Sequence, residues 1–231
     1  MNSTKKAARF AGLLYLLMSI PAPLSLIYIP SVLIVSGDAA ATASKIKASE
    51  LLYRFGIAGN LLGQTIFIFV GLALYDLFKG VNRKLSLVML VLVLVSVPIS
   101  LLNELNQFAA LILLSGANFL SAFDSRQLNA LLMVFLKLHG NGFLIAEIFW
   151  GLWLFPFGAL VYKSGFLPRI LGVLLVPAGF AYLAVTVTHL LFPSYGDIVS
   201  RFASVLQFGE LPIIFWLLIK GANDQPLSAA A

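Results

Sequence analysis

The residues that could do chemistry are few, and they stand inside apolar runs. Glu147 and Glu210 are the two most exposed to that argument, because a carboxylate in hydrocarbon must be neutral, or be paired with a cation or a metal. Around them the sequence supplies Trp150 and Trp153, Gln207 one turn before Glu210, the i, i+4 pair Asn60/Gln64, and Arg54. Read as a group, these eight side chains are candidates for binding a small amphiphile, a lipid or a cation in a polar cavity. Trp150 and Trp153 would floor it with apolar surface. A second set, Glu104, His139 and His189 together with Glu147, has the carboxylate and imidazole chemistry of zinc, iron or manganese sites. None of these residues has the i, i+3 or i, i+4 His/Glu spacing of a site preformed on one helix, so a metal would need ligands assembled from separate helices.

Much chemistry is excluded outright. There is no cysteine, and with it go disulfides, thiolate catalysis and iron–sulfur clusters. Two histidines without H-E-x-x-H exclude the zincin arrangement, and no Walker A loop, G-x-G-x-x-G or G-x-S-x-G occurs. The sequence calls for no cofactor and leans away from an enzyme.

The elements that must position these groups follow from composition. The chain has 231 residues, 61% hydrophobic and only 10% charged, against about 25% charged in an ordinary soluble domain. Too few charges remain to cover a water-soluble surface. The reading is an all-α polytopic membrane protein, its main partner the lipid bilayer. A nucleic-acid partner is excluded despite the +6 net charge.

A span needs about 20 apolar residues. Six are expected, at residues 10–34, 51–78, 85–105, 142–162, 170–191 and 203–219, forming one integral membrane domain over residues 1–231. The first is too long for the apolar core of a signal peptide and reads as retained. Nine of the fifteen Lys and Arg residues lie in short segments: Lys5-Lys6-Arg9, Lys79 with Arg83-Lys84, Lys163 with Arg169, and Lys220. The positive-inside rule makes that set cytoplasmic, with both termini inside. Residues 124–139 carry Leu128, Leu131, Leu132, Phe135 and Leu136 at helical spacing, followed by Gly140-Asn141-Gly142. They read as an amphipathic helix on the outer interface between the third and fourth spans; the alternative is an outward extension of the fourth helix.

At about 1.5 Å rise per residue, counted from the basic anchors, Glu210 lies ~15 Å up and Gln207 ~20 Å. Gln64 follows at ~22 Å, Glu147 at ~24 Å, Asn60 at ~28 Å and Glu104 and His189 near ~30 Å, with Arg54 and His139 at ~36–38 Å. Five helices thus place polar groups in the outer half of a core about 30 Å thick. That pattern predicts an outward-facing polar cavity tapering to Glu210, which would accept donors from neighbouring side chains. The bland alternative is that amides and acids only tie helices together. Gly56, Gly59, Gly63 and Gly71 make the second helix a close-packing surface and a candidate homo-oligomer contact.

Several strings are together distinctive: Ala11-Gly12-Leu13-Leu14-Tyr15-Leu16, then Phe149-Trp150-Gly151-Leu152-Trp153-Leu154 with Pro156 and Gly158. To these are added Ser164-Gly165-Phe166-Leu167-Pro168-Arg169 with Gly172, and Glu210 ahead of Phe215-Trp216-Leu217-Leu218. Over nearly its whole length the chain resembles the bacterial membrane proteins grouped as domain of unknown function family 4386. The resemblance implies a six-helix protein of the bacterial cytoplasmic membrane; it implies no activity, cofactor or catalytic residue. Three functions remain in view: binding or transport of a small amphiphile, lipid or cation; an accessory or sensory subunit with a structural polar layer; and a metal-assisted membrane enzyme.

Overall fold

The computed structural model describes residues 3–223. These are almost entirely helical, with no strand among the described residues. Six helices are long and apolar enough to cross a membrane: α1 (Thr4–Leu33), α3 (Glu50–Phe78), α4 (Arg83–Leu114), α5 (Ser125–Lys163), α6 (Arg169–Leu191) and α7 (Pro193–Lys220). The short α2 (Ala39–Ala48) lies between the first two. The protein is therefore a multi-pass membrane protein, built from the element that satisfies its own backbone in lipid.

Three expectations about boundaries are corrected. Residues 125–152 form one unbroken helix, so the segment at 124–139 is the beginning of α5 and not a separate interfacial helix. Its start is fixed by a capping box: Asp124 Oδ1 accepts the Gln127 N–H at 2.8 Å while Gln127 Oε1 accepts the Asp124 N–H at 2.9 Å. Gly140 and Gly142 do not break it, although each costs about 1 kcal/mol against alanine in a helix. Asn103 Nδ2 donates to the His139 carbonyl at 2.8 Å, and a Cβ on Gly142 would lie 1.9 Å from Asn103 Oδ1. Gly142 is thus the notch that admits the Asn103 amide. The third span also runs nine residues past its expected end, to Leu114, and the sixth begins at Pro193 and not at residue 203.

Prolines bend α1 without ending it. After Ser19 the chain turns once, then continues through a π-helical stretch from Pro23 to Tyr28, where wider turns absorb the missing N–H groups.

The chain divides into two compact units. The first contains residues up to Leu17, Ile66–Val97 and those from Leu144 onward; the second contains Met18–Thr65 and Pro98–Phe143. The first is held by unusually close helix approaches. A Cβ on Gly158 would meet the Gly172 carbonyl at 2.7 Å, and one on Gly151 would meet the Gly179 carbonyl at 2.7 Å, so α5 and α6 touch backbone to backbone at two points seven residues apart. A Cβ on Gly12 would lie 2.4 Å from the Leu218 nitrogen, which sets α1 directly on α7. Arg9 Nη2 then donates to the Ile219 carbonyl at 2.8 Å, a cation at a helix C-terminus.

The second unit buries Ile29, Leu33, Ile46, Tyr53, Ile57, Leu132 and Leu136 in one cluster. Its helices also meet at small residues: Gly56 faces Ile29, Gly59 faces Ser25 and Pro21, and Gly63 faces the Met18 carbonyl. In the first unit, Gly71 faces Val93 and Leu90. The glycines of α3 are thus occupied by the chain's own α1 and α4.

Candidate functional site

Each unit sets an acid among a distinct set of partners, Glu210 half-buried in the first and Glu104 buried in the second. In the first, Glu210 sits where α7 tightens into a 3₁₀ turn (Phe208–Glu210). Pro212 follows two residues later and cannot return an N–H to the helix. Gly209 lets this turn lie against α6, since a Cβ there would meet the Leu174 carbonyl at 2.8 Å. Tyr15 of α1 donates its hydroxyl to Glu210 Oε2 at 2.5 Å, and the Tyr182 hydroxyl of α6 donates to the same carboxyl group. Glu147 of α5 acts electrostatically on Tyr182 as well, and its own Oε2 is buried without a hydrogen-bond partner. Both acids singled out from sequence therefore bear on Tyr182, Glu210 through a hydrogen bond and Glu147 through its charge alone. Neither forms an ion pair among the described residues.

Aromatic rings surround this cluster. Trp150 packs edge-on to Tyr182 with centroids 6.5 Å apart. Trp153 stacks on Phe157 at 5.2 Å, tilts against Tyr15 at 5.8 Å and takes the edge of Phe67 at 5.3 Å. It is almost wholly buried and acts as the wedge that holds the Tyr15 ring. Gln207 lies half-buried one turn before Glu210 on the same helix.

In the second unit Glu104 is 1% exposed. Its Oε1 accepts from Asn60 Nδ2 of α3 at 3.2 Å and lies 3.1 Å from His139 Nε2 of α5, while its Oε2 is buried without a partner. The other ring nitrogen, Nδ1, faces Gln107 Nε2 at 3.4 Å. Tyr53 closes the chain by donating its hydroxyl to Gln107 Oε1. Phe143 covers the imidazole edge-on at 4.7 Å.

Of the remaining candidates, Gln64 belongs to the second unit with its Oε1 buried and unpartnered. Arg54 is exposed and pairs with Glu50 at 2.7 Å one turn earlier. His189 turns its Nδ1 to the Val185 carbonyl at 3.0 Å. Among the described residues no three His, Asp or Glu side chains are placed to hold one metal ion. Among the described residues two shallow grooves stand out. One of about 300 Å³ is lined by Phe10, Leu14, Phe69, Leu72 and Asp76. The other, about 190 Å³, is lined by Arg54, Ile57, Leu61, Phe108 and Leu111. Of the site residues expected from sequence, only Arg54 lines either.

Residues 10–221 match the family described as Domain of unknown function (DUF4386). The chain belongs to this family. It is also similar to an "Uncharacterized protein" of Archaeoglobus fulgidus, 28% identical over 169 residues that cover 72% of this chain and 84% of the relative. No solved structure matches it.

For this DUF4386 member, sequence reasoning missed Tyr15, Tyr53, Asn103, Gln107 and Tyr182. Asn103 and Gln107 had a legible signal: they sit four residues apart, hence on one helix face, beside the only acid of α4. The tyrosines had none, because a tyrosine in a span reads as core until its hydroxyl's partner is known.

Proposed function

We propose that the protein binds a small cation, or the cationic head of an amphiphile, at the Glu147–Glu210 cluster of its first unit. The observation that supports this is Glu210 held by Tyr15 and Tyr182, with Glu147 acting on Tyr182 through its charge, inside aromatic walls and, among the described residues, without a lysine, arginine or histidine paired to either acid. A positive ligand supplies the missing charge, and the Trp150 and Tyr182 rings add the attraction of aromatic faces for a cation. In this reading the site opens outward in a bacterial cytoplasmic membrane, with the basic segments and both termini on the cytoplasmic side. Because the chain has no cysteine, single cysteines placed beside Lys79 and at Ser115 report that orientation by their labelling from one side of the membrane.

The test of binding is titration of the protein in nanodiscs with tetraphenylphosphonium, followed by calorimetry and tryptophan fluorescence. Saturable binding that weakens at least tenfold in both Glu147→Gln and Glu210→Gln is the expected result. Absence of saturable binding, or binding indifferent to both variants, overturns the reading.

A second reading, an accessory subunit with a structural polar layer, has its own support. The hydroxyl of Tyr15 ties α1 to α7 through Glu210, Asn60 ties α3 to α4 through Glu104, and Thr186 Oγ1 ties α6 to α5 at the Leu144 carbonyl. On this reading Glu210→Gln changes melting temperature and leaves phosphonium response at the level of empty nanodiscs.

A further inference from the structure

We propose that Glu104, His139, Gln107 and Tyr53 form a proton-binding site, in which one proton taken up by the imidazole converts a buried carboxylate into a buried ion pair. This inference is independent of the Glu147–Glu210 reading and rests on the second unit alone.

The argument begins with the direction of each bond. Tyr53 donates to Gln107 Oε1, so the amide turns its NH₂ toward His139 Nδ1, 3.4 Å away. An Nδ1 that faces a donor must carry the lone pair. The ring hydrogen then sits on Nε2 and is donated to Glu104 Oε1 at 3.1 Å. In this state the ring is neutral and the carboxylate has one buried negative charge, shared with the Asn60 N–H and otherwise unbalanced. An isolated charge so buried is costly.

Among the described residues of the second unit, the groups that face the pair are these. From α3 come Tyr53, the other titratable side chain near Glu104, and the neutral Asn60. From α4 come Asn103 and Gln107, both neutral. The nearby ions point elsewhere: Arg54 is held by Glu50, Lys45 Nζ donates to the Val32 carbonyl, and Asp38 caps α2. Lys47 and Lys137 are exposed. Among the described residues no fixed cation pairs with Glu104.

A proton does so without disturbing the packing. It adds to Nδ1, the imidazolium now donates from both nitrogens, and the Gln107 amide reverses so that its oxygen accepts from Nδ1–H. Tyr53 follows by accepting from the reversed NH₂. Each partner of the ring can therefore serve both states: a carboxylate that accepts in either, and an amide whose two ends exchange roles. Backbone carbonyls and N–H groups could not reverse in this way.

The experiment is a pH titration of ¹⁵N-histidine-labelled protein in nanodiscs. The chain has two histidines, and His189→Asn assigns the second. At alkaline pH the His139 ring is expected as the Nε2–H tautomer. On acidification Nδ1 gains its proton while the carboxylate stretch of Glu104, read by infrared difference against Glu104→Gln, persists. In Glu104→Gln the His139 midpoint moves toward acid by about one pH unit or more, because the anion that stabilises the imidazolium is gone. In Tyr53→Phe it moves the other way, by a few tenths of a unit, because the amide is free to reverse. That opposite sign is what a purely structural role would not produce, and Tyr53→Phe carries the test if Glu104→Gln is not recovered folded. An Nδ1–H tautomer at alkaline pH, a midpoint indifferent to Glu104→Gln, or an acid shift in Tyr53→Phe overturns the proposal.

Discussion

Glu104 and Glu210 are the same residue type within spans of the same protein, the first buried and the second half-buried, yet their surroundings give them different chemistry. Glu210 accepts from two phenol hydroxyls, which stay protonated across the working range and can only donate while they serve it. Glu104 accepts from an amide and an imidazole, and the imidazole is itself able to take a proton. The first acid is thus set among fixed donors and aromatic walls, suited to a ligand that brings its own charge. The second sits in a reversible chain, suited to the smallest cation there is. A buried acid is therefore not a function in itself; the exchangeability of its partners decides what it can do.

The comparison breaks most readily at Glu104. Glu104→Leu removes the acceptor from Asn60 and the neutral His139 ring together and leaves two buried donors unsatisfied, so a loss of about 2 kcal/mol or more is expected, read as a fall in thermal stability. Tyr15→Phe should be milder. It takes one donor from Glu210 but leaves Tyr182, and interhelical hydrogen bonds in membranes average about 0.6 kcal/mol with a maximum near 1.7. A loss at Tyr15 equal to that at Glu104 would erase the distinction between the two sites.

The frames around the two sites differ as well. Gly158→Ala places a Cβ against the Gly172 carbonyl, which cannot move alone, and overpacking of this kind costs about 1–3 kcal/mol. Gly142→Ala instead meets the Asn103 side chain. It should displace that amide from the His139 carbonyl and alter the His139 ring signals, an effect Gly158→Ala should not have. Equal spectra in the two variants would sever the proposed link between Asn103 and the imidazole.

The smallest effects belong to the exposed ion pairs, one in each unit. Arg54→Ala should change stability by less than about 0.5 kcal/mol. Lys79 is raised above its ordinary value by its hydrogen bond to Asp76, then by that residue's charge. Because the folded value is raised, what the pair contributes is present below the unfolded lysine value and fades as pH rises through the folded one. Being fully exposed, it should vanish in Asp76→Asn with no measurable change in melting temperature at neutral pH.

Much of this architecture was legible beforehand. Six spans emerged because hydrocarbon tolerates so few charges that apolar runs of about 20 residues stand out unaided. What misled was Gly140-Asn141-Gly142, which carries every local sign of a break. It is helical because Asn103, 39 residues earlier, needs the space that Gly142 leaves and bonds to the carbonyl of His139.

The candidate sites divide in the same way. Glu147, Glu210, Glu104 and His139 could be singled out by cost alone, since an ionisable group in a span requires an explanation. Their partners could not. Whether Glu210 meets Tyr15 and Tyr182, or Glu104 meets His139 and Asn60, depends on which helix faces are turned together. Composition and charge, being additive along the chain, determined that the protein spans a membrane six times and which residues are costly there. Only the tertiary structure decided which of those residues share a partner. Helix packing is set by backbone approaches at Gly12, Gly151, Gly158, Gly172 and Gly179, each meaningful only against the helix it touches.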